Sequence, residues 1–198
     1  MENKKIEMSD FVKKTYKPRY ERKNILLLSD DLRMSSGIGT MSKEFIMGTC
    51  QYFNWYQLAA AIKHPDEGKI FDLSDEFSKL TGVPDPKVIL RPNSGYGDAE
   101  KIRQIIHDEK IDAILHYTDP RFFIWLYQLE HEIRQNIPII YYNIWDNYPY
   151  PMYNKPYYES CDGLFSISKQ TLNINKNVLN KDDWYEINNK GEKIIDLI

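Results

Sequence analysis

The stretch Ile25-Leu26-Leu27-Leu28-Ser29-Asp30-Asp31 sets four consecutive apolar residues against a polar triplet. A continuous run of this kind, without alternation, is the pattern of a strand buried on both faces, as in a parallel sheet. Three residues later comes Ser35-Ser36-Gly37-Ile38-Gly39-Thr40, a glycine-containing loop. Apolar residues then fall at Ile38, Met41, Phe45 and Ile46, a helical spacing. The first unit therefore reads strand, glycine loop, helix.

Outward from this unit the alternation continues. A second strand fits Trp55 to Ile62, and the polar segment from Lys63 to Pro86, with Pro65, Gly68, Gly82 and Pro84, reads as a long loop. Val88-Ile89-Leu90 is a short strand. Asp98 then caps a helix whose apolar side is Ile102, Ile105 and Ile106. Ile111 to Leu115 is a strand closed by His116-Tyr117-Thr118-Asp119-Pro120, and Phe122, Leu126, Leu129 and Ile133 form the stripe of one helix. Pro138 to Ile144 is the next strand, followed by the aromatic loop Trp145 to Pro151 and a short helix near Tyr153 to Glu159. Gly163 to Ile167 is a further strand, Ser168 caps a helix reaching Val178, and Lys193 to Ile198 reads as one more strand. Strands alternating with helices predict an α/β fold: a Rossmann-like parallel sheet with helices on both faces, joined by right-handed crossovers.

The composition agrees with one folded domain. The 198 residues are 42% hydrophobic and 28% charged, enough to bury a sizeable core. No apolar run approaches a membrane span and no secretory signal precedes the first strand. Two cysteines, Cys50 and Cys161, cannot by themselves build a disulfide framework or a four-ligand zinc site, so a reducing, cytoplasmic setting is expected. Charge divides unevenly. Residues 1–23 hold eight Lys/Arg against four acids, a charge of +4, which leaves -7 for the rest of a chain whose total is -3. The basic extension reads as a solvated tail or as a contact for a membrane surface, nucleic acid or an acidic partner. The acidic body argues against nucleic acid as the main partner. The expected division is an extension over 1–23, a domain over 24–180, and the start of a linker or strand over 181–198.

In open parallel sheets, ligands bind beyond the carboxyl ends of the strands, where the strand order reverses. That rule gathers Ser29 to Asp31 with the glycine loop, Arg91 to Gly97, His116 to Asp119, Trp145 to Asp146, and Ser166 to Lys169 on one rim. Gly37, Ile38 and Gly39 offer a backbone approach to a phosphate at a helix N-terminus, or else a plain turn. A dinucleotide fingerprint would need Gly or Ala at Ser42 and an acid closing the second strand, where the chain reads Ala59-Ala60-Ala61-Ile62-Lys63-His64, so a nicotinamide or flavin enzyme is disfavoured. No P-loop motif is present. His116, with Asp119 three residues on, reads as a general base or sugar-hydroxyl ligand, or as a structural histidine bonded to a loop carbonyl. His64, His107 and His131 are expected to be solvated. Asp146 lies among Trp145, Tyr148 and Tyr150, a grouping suited to carbohydrate, since rings stack on C–H faces and carboxylates accept hydroxyl hydrogens. Ser168 and Lys169 cap a helix or meet a ligand.

At these residues the chain resembles the N-terminal, acceptor-side domain of a GT-B glycosyltransferase of the retaining family-four type, over about Asn24 to Leu179. The similarity rests on Leu26 to Gly39, on Asp112-Ala113-Ile114-Leu115-His116, on Pro138 to Asp146, and on Asp162-Gly163-Leu164-Phe165-Ser166-Ile167-Ser168-Lys169-Gln170-Thr171. The resemblance implies half of a GT-B fold and transfer of a hexose from a UDP- or GDP-sugar to the hydroxyl of a carbohydrate or lipid-linked acceptor, without an obligatory metal or other cofactor. Gly37 and Gly39 would approach the donor's diphosphate or the acceptor, and His116 would lie near the acceptor. Thr118 departs from the pattern, since many relatives carry a second histidine there, and Asp119 or Asp146 then gains in importance. The family's nucleotide-gripping second domain, which would follow Ile198, is expected as a further domain or partner chain. Two competing readings are a non-catalytic binding or assembly module that pairs through an edge strand, and a nucleotide-binding regulator using the Gly37/Gly39 loop.

Overall fold

The computed structural model describes residues 16–180 together with the paired backbone of residues 186–187 and 193–194. The elements are β1 (Lys23–Asp30), α1 (Gly37–Thr49), β2 (Phe53–Ala61), β3 (Phe71–Asp72), α2 (Ser74–Thr81), β4 (Val88–Ser94), α3 (Ala99–Glu109), β5 (Ala113–His116), α4 (Ile124–Gln128), α5 (Glu130–Ile133), β6 (Ile139–Asn143), α6 (Lys155–Glu159), β7 (Gly163–Ser166) and α7 (Lys169–Leu179). The short strands β8 (Glu186–Ile187) and β9 (Lys193–Ile194) pair only with each other.

The sheet runs β3-β4-β2-β1-β5-β6-β7. Every neighbouring pair is parallel except the two-residue antiparallel pairing of β3 with β4. The chain builds outward from β1 in one direction through β2 and β4, then crosses to β5 and builds in the other. The reversal falls between β1 and β5, and it sends the two sets of helices to opposite faces.

Alternation along β1 shows how the four-residue apolar run is used. Leu26 and Leu28 join Ile102, Ile105, Phe123, Leu126 and Ile133 on the face covered by α3, α4 and α5. Leu27 joins Ile46 and Phe77 on the face covered by α1 and α2. All three leucines are at most 1% exposed, so a polar residue at any of them would be stranded in one core or the other. On β6 and β7 a smaller cluster of Tyr141, Tyr158, Ile174 and Val178 seats α6 and α7.

Three expectations need correction. The segment 63–86 is not a loop throughout: Phe71 and Asp72 add the antiparallel edge strand, and Ser74–Thr81 is a helix that buries Phe77 and ends at Gly82, whose φ of 72° suits glycine. The stripe begun at Phe122 is broken as well. Asp119 caps a 3-10 turn over Pro120–Phe123, which shifts the helical phase so that Phe123 is fully buried while Phe122 stands 50% exposed. Gly37, Ile38 and Gly39 are not loop but the first turn of α1, capped by Ser36. The strand expected over 193–198 lies outside the described residues beyond Ile194.

The extension read over 1–23 can be followed from residue 16. Arg22 is buried, and its guanidinium group donates to the carbonyls of Lys17, Cys50, Asp85 and Pro84 with Tyr16 over its face. Residues 16–22 thereby tie the foot of α1 to the loop before β4. Among the described residues no helix is long and apolar enough to cross a membrane.

Candidate functional site

The rim above the β1/β5 reversal is assembled from buried polar groups. At the end of β1, Gln57 donates to Ser29 Oγ at 2.7 Å and to the Asp30 carbonyl at 2.7 Å, and it accepts from the Leu32 N–H at 3.2 Å. Ser42 on α1 bonds the same Ser29 hydroxyl at 3.0 Å. The small residue that a dinucleotide loop would use for close helix–strand packing is here a serine that locks α1 to β1.

The helix entrance is equally tight. Ser36 Oγ accepts from the Gly39 N–H at 2.9 Å and donates to Asp30 Oδ2 at 3.1 Å. A β-carbon on Gly39 would meet the Asp31 and Met34 carbonyl oxygens at 2.6 and 2.7 Å, whereas one on Gly37 would meet nothing within 4 Å. The two glycines, alike in sequence, have separate jobs. Gly39 permits packing of the loop on itself, and Gly37 leaves the helix N-terminus open to approach.

Beside this entrance sits a charged cluster. Asp31, with a side chain 2% exposed, accepts His64 Nε2 at 2.9 Å and a two-pronged contact from Arg33. The Asp66 N–H donates to His64 Nδ1 at 3.1 Å, which fixes the proton on Nε2 and directs it at Asp31. His64 was expected in solvent; instead it is buried, because its backbone N–H is held by Ser94 Oγ at the end of β4 and its ring by Asp31. Burial pushes the Asp31 carboxyl up, but the Arg33 and His64 hydrogen bonds outweigh it and hold the group below the usual carboxylate value. His107 and His131 are exposed.

From β4, Asn93 bonds the Ser94 and Gly95 carbonyls and accepts Lys101 Nζ at 2.5 Å. The loop so held presents Tyr96 between Gly95 and Gly97, both at positive φ. Tyr96 stacks on Phe122, with centroids 4.5 Å apart and planes 7° from parallel. Burial first, then the charges of Asp30 and Asp119, raises its phenol above the ordinary value. No sequence pattern marked Tyr96 beyond its place in the Arg91–Gly97 stretch. The pair of glycines around it was the available signal.

From β5, His116 and Asp119 part company. His116 is completely buried, its ring packed by Phe123 and Tyr141, with Nδ1 2.7 Å from the Tyr127 hydroxyl and no partner for Nε2 among the described residues. Burial drives its pKa down to about 3, so it is neutral at pH 7. In this conformation it braces the turn beneath the rim and exposes no atom to the crevice. Asp119 instead stays at the rim, where it takes a bidentate contact from Arg121 and caps the following turn. Burial raises its carboxyl, and the stronger pull of Arg121 lowers it below its ordinary value.

The Asp146 loop rests on a buried amide network. Asn143 donates to Tyr158 Oη at 2.9 Å and to Asn175 Oδ1 at 2.5 Å, and Asn175 donates to Ser166 Oγ. Asn143 Oδ1 accepts from the Trp145 N–H at 3.0 Å, and the Trp145 ring meets Tyr153 edge-on. The Arg121 guanidinium lies 5.9 and 5.5 Å from those two rings, so Arg121 links the Asp119 turn to the aromatic loop. Asp146 itself is exposed, and its carbonyl accepts from Gln170 at 2.7 Å.

Ser168 caps α7 by accepting from the Thr171 N–H, and Lys169 is exposed at the first position of that helix. Both sit at the end of β7, three strand positions from β1, a span of about 14 Å. The structure thus gathers Gly37, Ile38, Gly39 and Asp119 around the reversal point, with Asp30 and Tyr96 from the strand-end stretches expected there. Asp146, Ser168 and Lys169 lie further along the same rim, and His116 lies beneath it. Among the described residues no three His, Cys, Asp or Glu side chains are grouped to hold a metal.

No protein-family model matches the chain, and neither curated proteins nor solved structures show significant similarity to it.

Proposed function

We propose that this domain is the acceptor-side half of a glycosyltransferase that moves a hexose from a UDP- or GDP-sugar to an acceptor hydroxyl. The observation that carries the reading is the strand-end rim at the reversal point, where β1 ends in Asp30, β5 leads into Asp119, and Tyr96 stacks on Phe122. Aromatic faces pack against the C–H faces of a sugar, while carboxylates and a phenol accept and donate hydroxyl hydrogens. A parallel sheet with its rim built this way also presents the open N-terminus of α1 at Gly37.

In this reading Asp119, held in place by Arg121, receives the hydrogen of the attacking hydroxyl, and Asp146 on the aromatic loop holds a neighbouring hydroxyl. Gly37 and Ile38 line the acceptor, Gly39 lets the loop beneath them pack, and Ser168 with Lys169 face the donor's phosphates at the far end of the rim. His116 contributes by bracing the turn that carries Asp119. A second domain or partner chain closes over the crevice and grips the nucleotide, excluding water from the reacting centre.

The test is a panel of UDP- and GDP-hexoses with the longest natural form of the protein, read by nucleotide release and by ligand-observed NMR. Turnover or saturable binding of a panel member is the expected result. No turnover and no binding across the panel would sink the proposal.

One observation favours a non-catalytic alternative. Strand β7 is the sheet edge on its side among the described residues, and Phe165 on it and Ile167 just past its end are 48% and 43% exposed. A bare edge with apolar side chains is a pairing surface. An assembly module would form a defined complex through that edge and show no affinity for nucleotide sugars.

A further inference from the structure

We propose that the open edge of β7 receives an extended segment of a partner protein as an added strand, with one apolar side chain of that segment seated in the cavity at the foot of the strand, between α6 and α7. The inference gives the pairing edge noted above a mode and a partner chemistry, and it does not depend on whether the rim is catalytic.

The first observation is the edge. Asp162 donates its N–H to the Ile139 carbonyl at the start of β6, at 2.8 Å. Residues of a strand turn their N–H and C=O groups alternately to one side and the other, so Leu164 repeats Asp162, while Gly163 and Phe165 direct theirs away from β6. No strand among the described residues takes them up. The opposite edge is managed differently: β3 is two residues long, antiparallel, and leads within two residues into α2. Gly163–Ser166 carries no proline and no charged side chain that would blunt it in a similar way.

The second observation is the cavity. It measures about 230 Å³ and is lined by Tyr158, Cys161, Leu164 and Leu179 together with Glu159 and Asp162, beside the first residue of β7. That is below the ~300 Å³ at which small-molecule sites begin, and it suits a single side chain. Both carboxylates in its wall are held, Glu159 by Lys155 and Asp162 by Arg134. Burial pushes the Cys161 thiol up to about 12, so it is uncharged at neutral pH. Lys169 and Lys176 of α7 lie outside the lining. The cavity therefore offers apolar contact.

An unpaired edge with a side-chain pocket beside it is how sheets bind extended peptides, main-chain bonds supplying affinity and the pocket supplying choice. A second copy of this chain, paired antiparallel about a two-fold axis, fits poorly as the occupant. It would turn its own Leu164 toward the cavity side, and Leu164 is committed to the cluster of Tyr141, Ile174 and Val178 under α7. The occupant is a strand with no helix backing that side. Its neighbouring residues point to the other face of the sheet and cover the half-exposed Phe165 and Ile167.

The experiment titrates the whole chain with blocked peptides Ac-Lys-Thr-Val-X-Val-Thr-Lys-NH2, X being Leu, Phe, Ala, Asp or Lys, and reads amide NMR and fluorescence polarisation. The Leu or Phe peptide should bind at least tenfold tighter than the other three and slow the hydrogen exchange of the Gly163 and Phe165 amides. Phe165→Pro should abolish binding, since the lost N–H faces outward and the ladder to β6 is kept. Leu164→Phe grows a ring into the cavity from a half-buried position and should erase the preference for Leu; a preference that survives there would overturn the role of the cavity. No binding by any peptide, or binding indifferent to X, would overturn the proposal. So would Gly163 and Phe165 amides already protected in the free chain, because the edge would then have an occupant of its own. Concentration-dependent dimerisation that disappears in Phe165→Pro would give the edge to a second copy instead. Should Phe165→Pro not fold, two Leu peptides methylated on alternate sets of main-chain nitrogens replace it: one of them should lose binding to the wild type at least tenfold, and equal binding by both would overturn main-chain pairing.

Discussion

His64 Nε2 donates to Asp31 Oδ2 at 2.9 Å, joining the loop after β2 to the end of β1 through two side chains that are 3% and 2% exposed. The ring is orientated by a main-chain N–H and the carboxylate by Arg33, so the contact is fixed from both sides. Losing either partner would leave a buried polar group short of a bond. His64→Leu is expected to destabilise the fold by about 2–3 kcal/mol, while Asp31→Asn should cost about 3 kcal/mol by orphaning Arg33 and His64. Urea melts of both variants check this, and a change below half a kilocalorie would contradict the geometry.

The pH dependence of Asp31 follows from its lowered carboxyl. A group with a depressed folded pKa contributes stability that is fully present above the unfolded carboxylate value, near pH 4, and is lost as pH falls through the folded value below it. The stability gap between wild type and Asp31→Asn should therefore be constant from pH 5 to 8 and narrow below about pH 4. A gap that stays constant down to pH 2.5 would mean the carboxylate is not held by these partners.

His116 has a different window. Its folded pKa of about 3 lies below the unfolded value near 6.5, so the unfolded chain takes up the proton first as pH drops. Stability should fall by about 1.4 kcal/mol for each unit below pH 6.5, until the folded histidine also titrates. His116→Phe removes that slope. Melts of both proteins between pH 4 and 7 check it, and equal slopes would show that the ring is not buried neutral.

The two glycines of α1 separate cleanly. Gly39→Ala drives a methyl into the Asp31 and Met34 carbonyls and should cost about 2 kcal/mol with distortion of the helix entrance. Gly37→Ala meets open space and should be neutral or stabilising by a few tenths of a kilocalorie. Thermal melts of the pair decide the matter. Equal effects would show that Gly39 is not packed as described.

For Asp119, Asn keeps the cap on the Arg121 N–H but gives up the charge that holds the guanidinium group. With an exposed partner, the loss of the pair should change stability by less than about 1 kcal/mol. If Asp119 receives the acceptor's hydrogen, transfer should drop at least a hundredfold in the same variant. An active Asp119→Asn enzyme would move that role elsewhere on the rim.

Much of the fold was legible because β1, β5 and β6 are continuous apolar runs, and Asp98 and Ser168 cap their helices as their sequence positions suggest. Helix α2 was hidden because it buries only Phe77 among its apolar residues and lies between the prolines and glycines of its flanking loops. Phe122 was taken for a core residue because a helical stripe assumes one period throughout, whereas the proline-led 3-10 turn advances the phase by one residue. At the site, Asp119 and the Gly37/Gly39 pair could be found from their places after strands. Asp30 and Tyr96 fall within the strand-end stretches but are not singled out there, and His64 is read as solvated, since nothing local distinguishes a rim tyrosine, an unpaired aspartate or a buried histidine from its neighbours.

The sequence by itself determined the alternation of strands and helices, and with it a parallel sheet whose functional rim lies at the carboxyl ends of the strands. Hydrophobic period and capping are local, and they act on neighbours in the chain. Only the tertiary structure decided which charges are spent and which are free. Arg33 is held by Asp31, Arg121 by Asp119, and Asp30 keeps only the Ser36 hydroxyl among the described residues, because partners brought together from β1, β2, β4 and β5 compete for the same few ångströms. Burial decided the histidines in the same way. Desolvation depends on what the rest of the fold stacks around a ring, and that made His116 a neutral brace and His64 the buried partner of Asp31.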